Sequence, residues 1–306
     1  MRLLSSASIL VLALAACSSG GGGASGNAGI NPGTSSSTRS ATGLPFASEA
    51  RADEEPDGTF TITVVRAQTN YPSEQTRLIV SKERLGIRQD DNTISITIGN
   101  ETIDLAFDSE TDDFAGALAN GQDAYFYIYD DGEYASLASI YSYIGEQASG
   151  VDFEAFSVVG YETRPNDLPG SGSQLYLASG GGYGNLIETD GSVYAREVDF
   201  TSNLDLNVDF GTSRVTGTLF VSLDPSETDA SVVLALQRAD LIGNGFGTTA
   251  TCVSGCSSSA SVVGGALYGP AYEEMAGLIG LDITEDAEGP LRFVGAGGFI
   301  GYRRPE

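Results

Sequence analysis

The chain has 306 residues, with 41 acidic against 15 basic side chains, a net charge of −26, no histidine and no tryptophan. A field of that sign leaves no basic surface for phosphate, which excludes nucleic acid as a partner, and it repels an anionic membrane met face-on. The missing histidine removes the commonest general base, any Ser-His-Asp triad and His-ligated haem or zinc, so the composition points to a non-enzyme without a cofactor and leaves only carboxylate chemistry open.

Arg2 followed by the apolar run Ile9 to Ala16 reads as a secretory signal, and the run is too short to span a bilayer as a helix. The segment Leu14-Ala15-Ala16-Cys17 resembles the bacterial lipobox, in which diacylglycerol is attached to the cysteine before cleavage ahead of it. Cys17 is therefore the expected lipid anchor, and several acyl chains on one residue hold a protein at a membrane far longer than a single chain does. Ser18 after the cysteine, with no aspartate there, resembles outer-membrane sorting in enteric bacteria. From Ser18 to about Arg51 the chain is mostly Gly, Ser, Thr, Ala and Asn, a composition that cannot bury enough apolar surface to offset its ordering entropy. The expected organisation begins with a signal peptide over 1–16 and a flexible tether over 17–56.

Residues 57–165 read as a small antiparallel β domain. Asp57-Gly58 precedes a strand over Thr59 to Val65, and Ile94-Ser-Ile96-Thr-Ile98 alternates, turns at Gly99-Asn100 and resumes with Ile103 and Leu105. Asn120-Gly121 and Asp131-Gly132 flank the run Ala124 to Asp130, and Phe153 to Val159 adds a further strand. Tyr125, Tyr127 and Tyr129 fall on one face by period two, with Tyr134, Tyr141 and Tyr143 nearby. They are candidates for an aromatic partner-binding patch or a phenolate ligand to haem iron; the competing reading is cross-strand aromatic packing. Asp108-Ser-Glu110-Thr-Asp112-Asp113 spaces oxygen ligands as calcium loops do but lacks their turn glycine, so it reads as a solvated loop and no metal is expected. Asp90-Asp91-Asn92 reads as a turn.

A break follows at Arg164-Pro-Asn-Asp-Leu-Pro-Gly-Ser-Gly-Ser173. Beyond it, over 166–306, strands are predicted at Leu175–Ala178, Val193–Phe200, Leu204–Phe210, Arg214–Leu223, Val232–Ile242, Ser257–Leu267, Gly277–Ile283 and Leu291–Tyr302. This set, with short turns, predicts an all-β fold whose C-terminal part is an eight-stranded antiparallel up-and-down β-barrel, a closure that removes exposed sheet edges. Eight strands enclose room for side chains or one small ligand. Cys252 and Cys256, flanking Val-Ser-Gly, read as a disulfide closing a tight turn in an exported protein.

The C-terminal part resembles the β-barrel domain of the transferrin-binding protein B family of surface lipoproteins. The resemblance rests on Val159-Gly-Tyr-Glu-Thr163 with Leu168-Pro-Gly-Ser-Gly-Ser-Gln-Leu-Tyr176, on Leu206-Asn-Val-Asp-Phe-Gly-Thr212 with Val215-Thr-Gly-Thr218, and on the closing strand Val294-Gly-Ala-Gly-Gly-Phe-Ile-Gly-Tyr302. It rests also on Gly264-Gly-Ala-Leu-Tyr-Gly-Pro-Ala-Tyr-Glu-Glu-Met-Ala-Gly277, which is similar to the family's Gly-x-Phe-Tyr-Gly-Pro-x-Ala-Glu-Glu segment, with Tyr272 where the family has Ala. By itself that segment reads as a strand end entering a turn, with Glu273 and Glu274 on its solvated shoulder. The resemblance implies an outer-membrane lipoprotein, lipid-anchored and displayed at the cell surface, whose barrel and smaller handle-like β domain bind an extracellular host or environmental protein, haem or an iron carrier, or another small ligand. The other reading is a structural or accessory envelope lipoprotein partnering an outer-membrane receptor or export factor.

Overall fold

The computed structural model describes residues 58–305, apart from residues 72, 74, 89–92, 99–100, 109–112, 120, 143–149, 189–190, 225–230 and 287–290. The signal segment, Cys17 and the tether lie outside the described residues, as do Asp90-Asp91-Asn92, Tyr143 and most of the 108–113 acidic loop.

Alternation of apolar and polar side chains builds the strands. The first eight are β1 (Gly58–Tyr71), β2 (Gln75–Arg88), β3 (Thr93–Ile98), β4 (Glu101–Asp108), β5 (Asp113–Ala117), β6 (Asp123–Asp131), β7 (Ala135–Ser142) and β8 (Gly150–Gly160). Each pairs antiparallel with the next, and β8 returns to β1, with Val64 opposite Ser157 and Tyr71 opposite Gly150, to close a barrel. The small β domain is thus itself a closed eight-stranded barrel. Its interior is filled by Ile62, Val64, Ile94, Ile96, Ile103, Leu105, Phe126, Ile140 and Phe153.

A single 3-10 turn, Pro165–Asp167, precedes the second barrel. This comprises β9 (Ser173–Ile187), β10 (Val193–Asp209), β11 (Arg214–Leu223), β12 (Ser231–Asp240), β13 (Gly245–Ser254), β14 (Cys256–Ser259), β15 (Ser261–Tyr268), β16 (Glu274–Glu285) and β17 (Arg292–Arg303). β17 pairs back onto β9, and the short β14 lies against the end of β16 as an extra strand, leaving eight in the closed ring. In β10, Leu204, Leu206 and Val208 are buried while Asp205 and Asn207 between them are exposed, the pattern of a wall with one dry and one wet face.

The number of barrel strands agrees with the sequence, but four of their positions do not. The strand expected over Ser257–Leu267 is divided at Ala260 into β14 and β15. Residues 193–209 form one continuous strand where two were expected, because Ser202, although polar, points inward and keeps the period unbroken. Gly245–Ser254 is a strand that its Gly and Thr content concealed. β9 runs on through Gly180-Gly-Gly-Tyr-Gly184, well past Ala178.

Strand glycines make room for aromatic rings in the interior. A Cβ on Gly184 of β9 would sit 2.6 Å from Cζ of Phe293, one on Gly277 of β16 2.6 Å from Cζ of Phe299, and one on Gly297 of β17 2.6 Å from Cζ of Phe200. Phe200, Phe246, Phe293, Phe299 and Tyr176 fill the interior with a ring of Leu, Val and Ile, so this barrel holds a side-chain core, as its strand number allows.

A third apolar cluster joins the two barrels. Val65, Ala67, Ala135, Leu137, Phe156 and Val158 from the outer wall of the first meet Val262, Ala266, Tyr268, Ala276, Leu278, Ala296 and Ile300 from the outer wall of the second. Leu137 is fully buried and its methyl occupies the space a Cβ on Gly298 would need, 2.3 Å away. Burying a leucine side chain contributes about 1.5–3 kcal/mol, so this seam is a third core, outside either barrel.

Candidate functional site

The segment Tyr268-Gly-Pro-Ala-Tyr-Glu-Glu274 lies at the end of the seam. Glu273 accepts a hydrogen bond from the Ala271 N–H, 2.9 Å away, which closes the turn locally. Glu274 is only 1% exposed. Its carboxylate accepts from three successive backbone N–H groups of the β6–β7 turn, Glu133 at 2.6 Å and Tyr134 and Ala135 at 3.0 Å. The solvated position expected for Glu274 is therefore overturned: an anion is buried here because a nest of amides replaces its hydration. The linker after β8 is tied to the same place, with Thr163 N–H bonded to Leu267 O at 2.9 Å, Gly269 N–H to Tyr161 O at 2.8 Å and Thr163 Oγ1 to Gly269 O at 2.7 Å. This motif clamps the barrels together.

The tyrosines sit on the outer wall of the first barrel. Tyr125 lies opposite Tyr141 and Tyr127 opposite Ser139 in the β6–β7 pairing. The Tyr125 and Tyr141 rings stack at 5.0 Å between centroids and 19°, and Tyr127 meets Tyr141 edge-on at 5.7 Å. Cross-strand packing accounts for those contacts, yet all three remain partly exposed. Tyr129 lies in β6, but its side chain is outside the described residues.

The face runs into the seam. Tyr141 is opposite Glu154 of β8, and Ser139 donates to Glu154 Oε1 at 3.2 Å. Phe156, two residues on, stacks with Tyr183 of β9 at 6.4 Å, and Tyr183 lies opposite Asp199 of β10. Glu197 adopts a left-handed φ of 54° where β10 shifts register, and its N–H is held by Asn185 Oδ1 at 3.2 Å. Asn185 in turn donates to Thr69 of β1 at 2.9 Å. This junction between the barrels, here called the notch, carries tyrosine on one side and carboxylates on both.

Its electrostatics follow from burial and like charge. Burial, opposed by the Ser139 hydrogen bond and reinforced by Glu197, Asp199 and Asp152, raises the Glu154 carboxyl to about 8. Burial first, then Glu154, also raises the Tyr127 phenol well above its ordinary range. A phenolate ligand to ferric iron is disfavoured at Tyr127 for that reason, since the proton is held on the oxygen.

Sequence reasoning placed Tyr125 and Tyr127 but missed Glu154, Tyr183, Glu197 and Asp199. One local signal was present: Phe153-Glu-Ala-Phe-Ser-Val-Val159 carries apolar residues on both faces, the mark of a strand covered on both sides. Cys252 of β13 and Cys256 of β14 are joined, with 2.06 Å between sulfurs, and Val253 in the closed loop is 62% exposed. Among the described residues no group of three or more Asp, Glu or Cys is placed to hold a metal ion.

Residues 168–298 match the family model for the C-lobe and N-lobe beta barrels of Tf-binding protein B. No curated protein matches the chain. Among solved structures, transferrin-binding protein B of Haemophilus parasuis is similar at 17% identity and a TM-score of 0.42, over 80% of this chain and 45% of that one. The isotype 1 protein of serogroup B Neisseria meningitidis is similar at 15% identity and a TM-score of 0.41, over 79% of this chain and 44% of that one. The chain spans less than half the length of these two structures. Residues 168–298, less than half of this chain, are thus similar in sequence to the beta barrels of Tf-binding protein B.

Proposed function

We propose that this chain is a non-enzymatic binding lipoprotein, anchored to the outer membrane through Cys17 and displaying its two barrels outside the cell on the 17–56 tether. In this reading residues 1–16 are removed, and the chain divides into a handle-like barrel over 57–165 and the family barrel over 166–306. The observation that carries the proposal is the tyrosine face of β6 and β7 running into the seam. Partly exposed tyrosines give large contact area at low entropic cost, as binding hot spots require. Both barrel interiors are filled with their own side chains, which favours a protein partner met on the outer wall over a small ligand taken into a lumen. The carboxylates around the notch repel the propionates of haem, and the protonated Tyr127 argues the same way.

The test is capture of transferrin and of haem proteins by the full lipidated chain in detergent. We expect capture of one of them, reduced about tenfold or more in a Tyr125→Ala/Tyr127→Ala variant, since hot-spot truncation costs about 2 kcal/mol or more. No capture by the wild-type chain, together with hydrolysis of a polymeric substrate, overturns the reading.

A further inference from the structure

We infer that the notch between the barrels is built to receive an arginine-bearing basic segment of a protein partner, stacked on the Tyr125–Tyr141 pair and paired with Glu197 and Asp199. This rests on the proposal that the tyrosine face is the binding surface and adds the chemistry of what it binds.

Three features converge on a cation. The Tyr125 and Tyr141 rings stack on each other at 19°, so the ring face of Tyr125 turned away from Tyr141 is the π surface on which a cation would stack. Glu197 and Asp199 are exposed on β10, across the seam from Tyr141 and Glu154. Their carboxylates act on Glu154 from the second barrel while Asp152 acts on it from the first, so carboxylates from both barrels bear on one place. The backbone fixes this arrangement: Glu197 holds a left-handed φ of 54° and its N–H is tied to Asn185, which bridges to Thr69. The backbone that carries Glu197 is thus braced across the seam to the first barrel.

Arginine fits better than lysine. Its guanidinium is planar, weakly hydrated, stacks on aromatic rings and offers a fork of N–H donors to a carboxylate. The chain's net charge of −26 adds long-range attraction for any basic partner, which speeds encounter but does not choose the site. The site must therefore be distinguished from the field.

The experiment titrates the full chain with a fluorescein-labelled peptide of alternating Arg and Gly, and with its Lys and Glu counterparts, at low and at physiological salt. The Arg peptide should bind tighter than the Lys peptide by a factor of several, and the Glu peptide should not bind. Glu197→Lys/Asp199→Lys and the milder Glu197→Gln/Asp199→Asn should each weaken the Arg peptide, the first by about tenfold or more. Tyr125→Ala/Tyr141→Ala should weaken it while leaving net charge unchanged. The control Asp167→Lys/Asp205→Lys makes the same charge change at exposed positions away from the notch and should alter affinity by no more than about twofold. Equal weakening by the notch and control variants, or none by the notch variants, overturns the inference. If protein capture falls in the tyrosine variants but not in the charge variants, the binding surface stands and only its preference for arginine fails; if it falls in neither, the surface itself is wrong.

Discussion

Among the individual side chains, Glu154 couples the site to pH. An unfolded glutamate ionises near 4.5, whereas burial and the neighbouring carboxylates raise the folded carboxyl to about 8. Below 4.5 both states are protonated and the full contribution to stability is present. Between the two values the unfolded chain has released a proton that the folded chain still holds, so each rise in pH favours unfolding, and above about 8 the loss is complete. Glu154→Gln keeps the shape and removes the titration. It should flatten the fall in stability between pH 4.5 and 8 and leave the variant about 1–2 kcal/mol more stable than wild type at pH 8.5, a figure reduced for partial solvation. Urea unfolding at pH 5, 6.5 and 8.5 reads this directly, and parallel slopes in the two proteins would exclude Glu154 as the source.

For the strands, the decisive question is whether one face or both are covered. β10 and β11 alternate because one side is wet, and the β3–β4 pairing was legible in its register, with Ile98 opposite Glu101, the Gly99-Asn100 turn itself lying outside the described residues. β15, β16 and β17 face a barrel core on one side and the other barrel on the other, and Ser261–Tyr268 is buried throughout. Such strands lose alternation and fill with glycine, so their type was legible and their role was not. The site divides the same way. Tyr125 and Tyr127 share a face by the period of a single strand, whereas Glu197 and Asp199 reach Glu154 only through barrel closure and docking, which no local pattern encodes. Gly298 on β17 tests the docking account. A side chain there meets the Leu137 methyl and, at 2.8 Å, the Gly277 carbonyl. Gly298→Ala should destabilise by about 1–3 kcal/mol, the usual cost of overpacking. Leu137→Ala in the same chain should recover part of that, because the two changes share one space. Strict additivity in denaturation of the single and double variants would mean that the seam relaxes and Leu137 is not the obstacle.

Taken as a whole molecule, the two barrels are topologically complete but energetically joined. Each closes on itself, so nothing in the hydrogen-bond ladders obliges them to unfold together. What couples them is the shared apolar cluster, the Asn185–Thr69 hydrogen bond, the linker held along Leu267–Gly269, and the Glu274 carboxylate held by the three N–H groups of the β6–β7 turn. The wild-type protein should therefore melt in one cooperative transition, with calorimetric and van't Hoff enthalpies in agreement. Glu274→Gln turns an amide nitrogen toward donors that need an acceptor and removes the charge that strengthened all three bonds. Losing a buried, charge-assisted set of this kind costs about 3–5 kcal/mol, taken from the docking of the barrels and not from either barrel's own core. The variant should show two transitions, with the first barrel, whose turn loses its only described carboxylate partner in the second barrel, leaving at the lower temperature. Binding at the notch needs both walls in register, so the same variant should lose the Arg peptide while each barrel remains folded. A single transition merely shifted downward would mean that the apolar seam alone sets the cooperativity and that Glu274 acts only on local turn geometry.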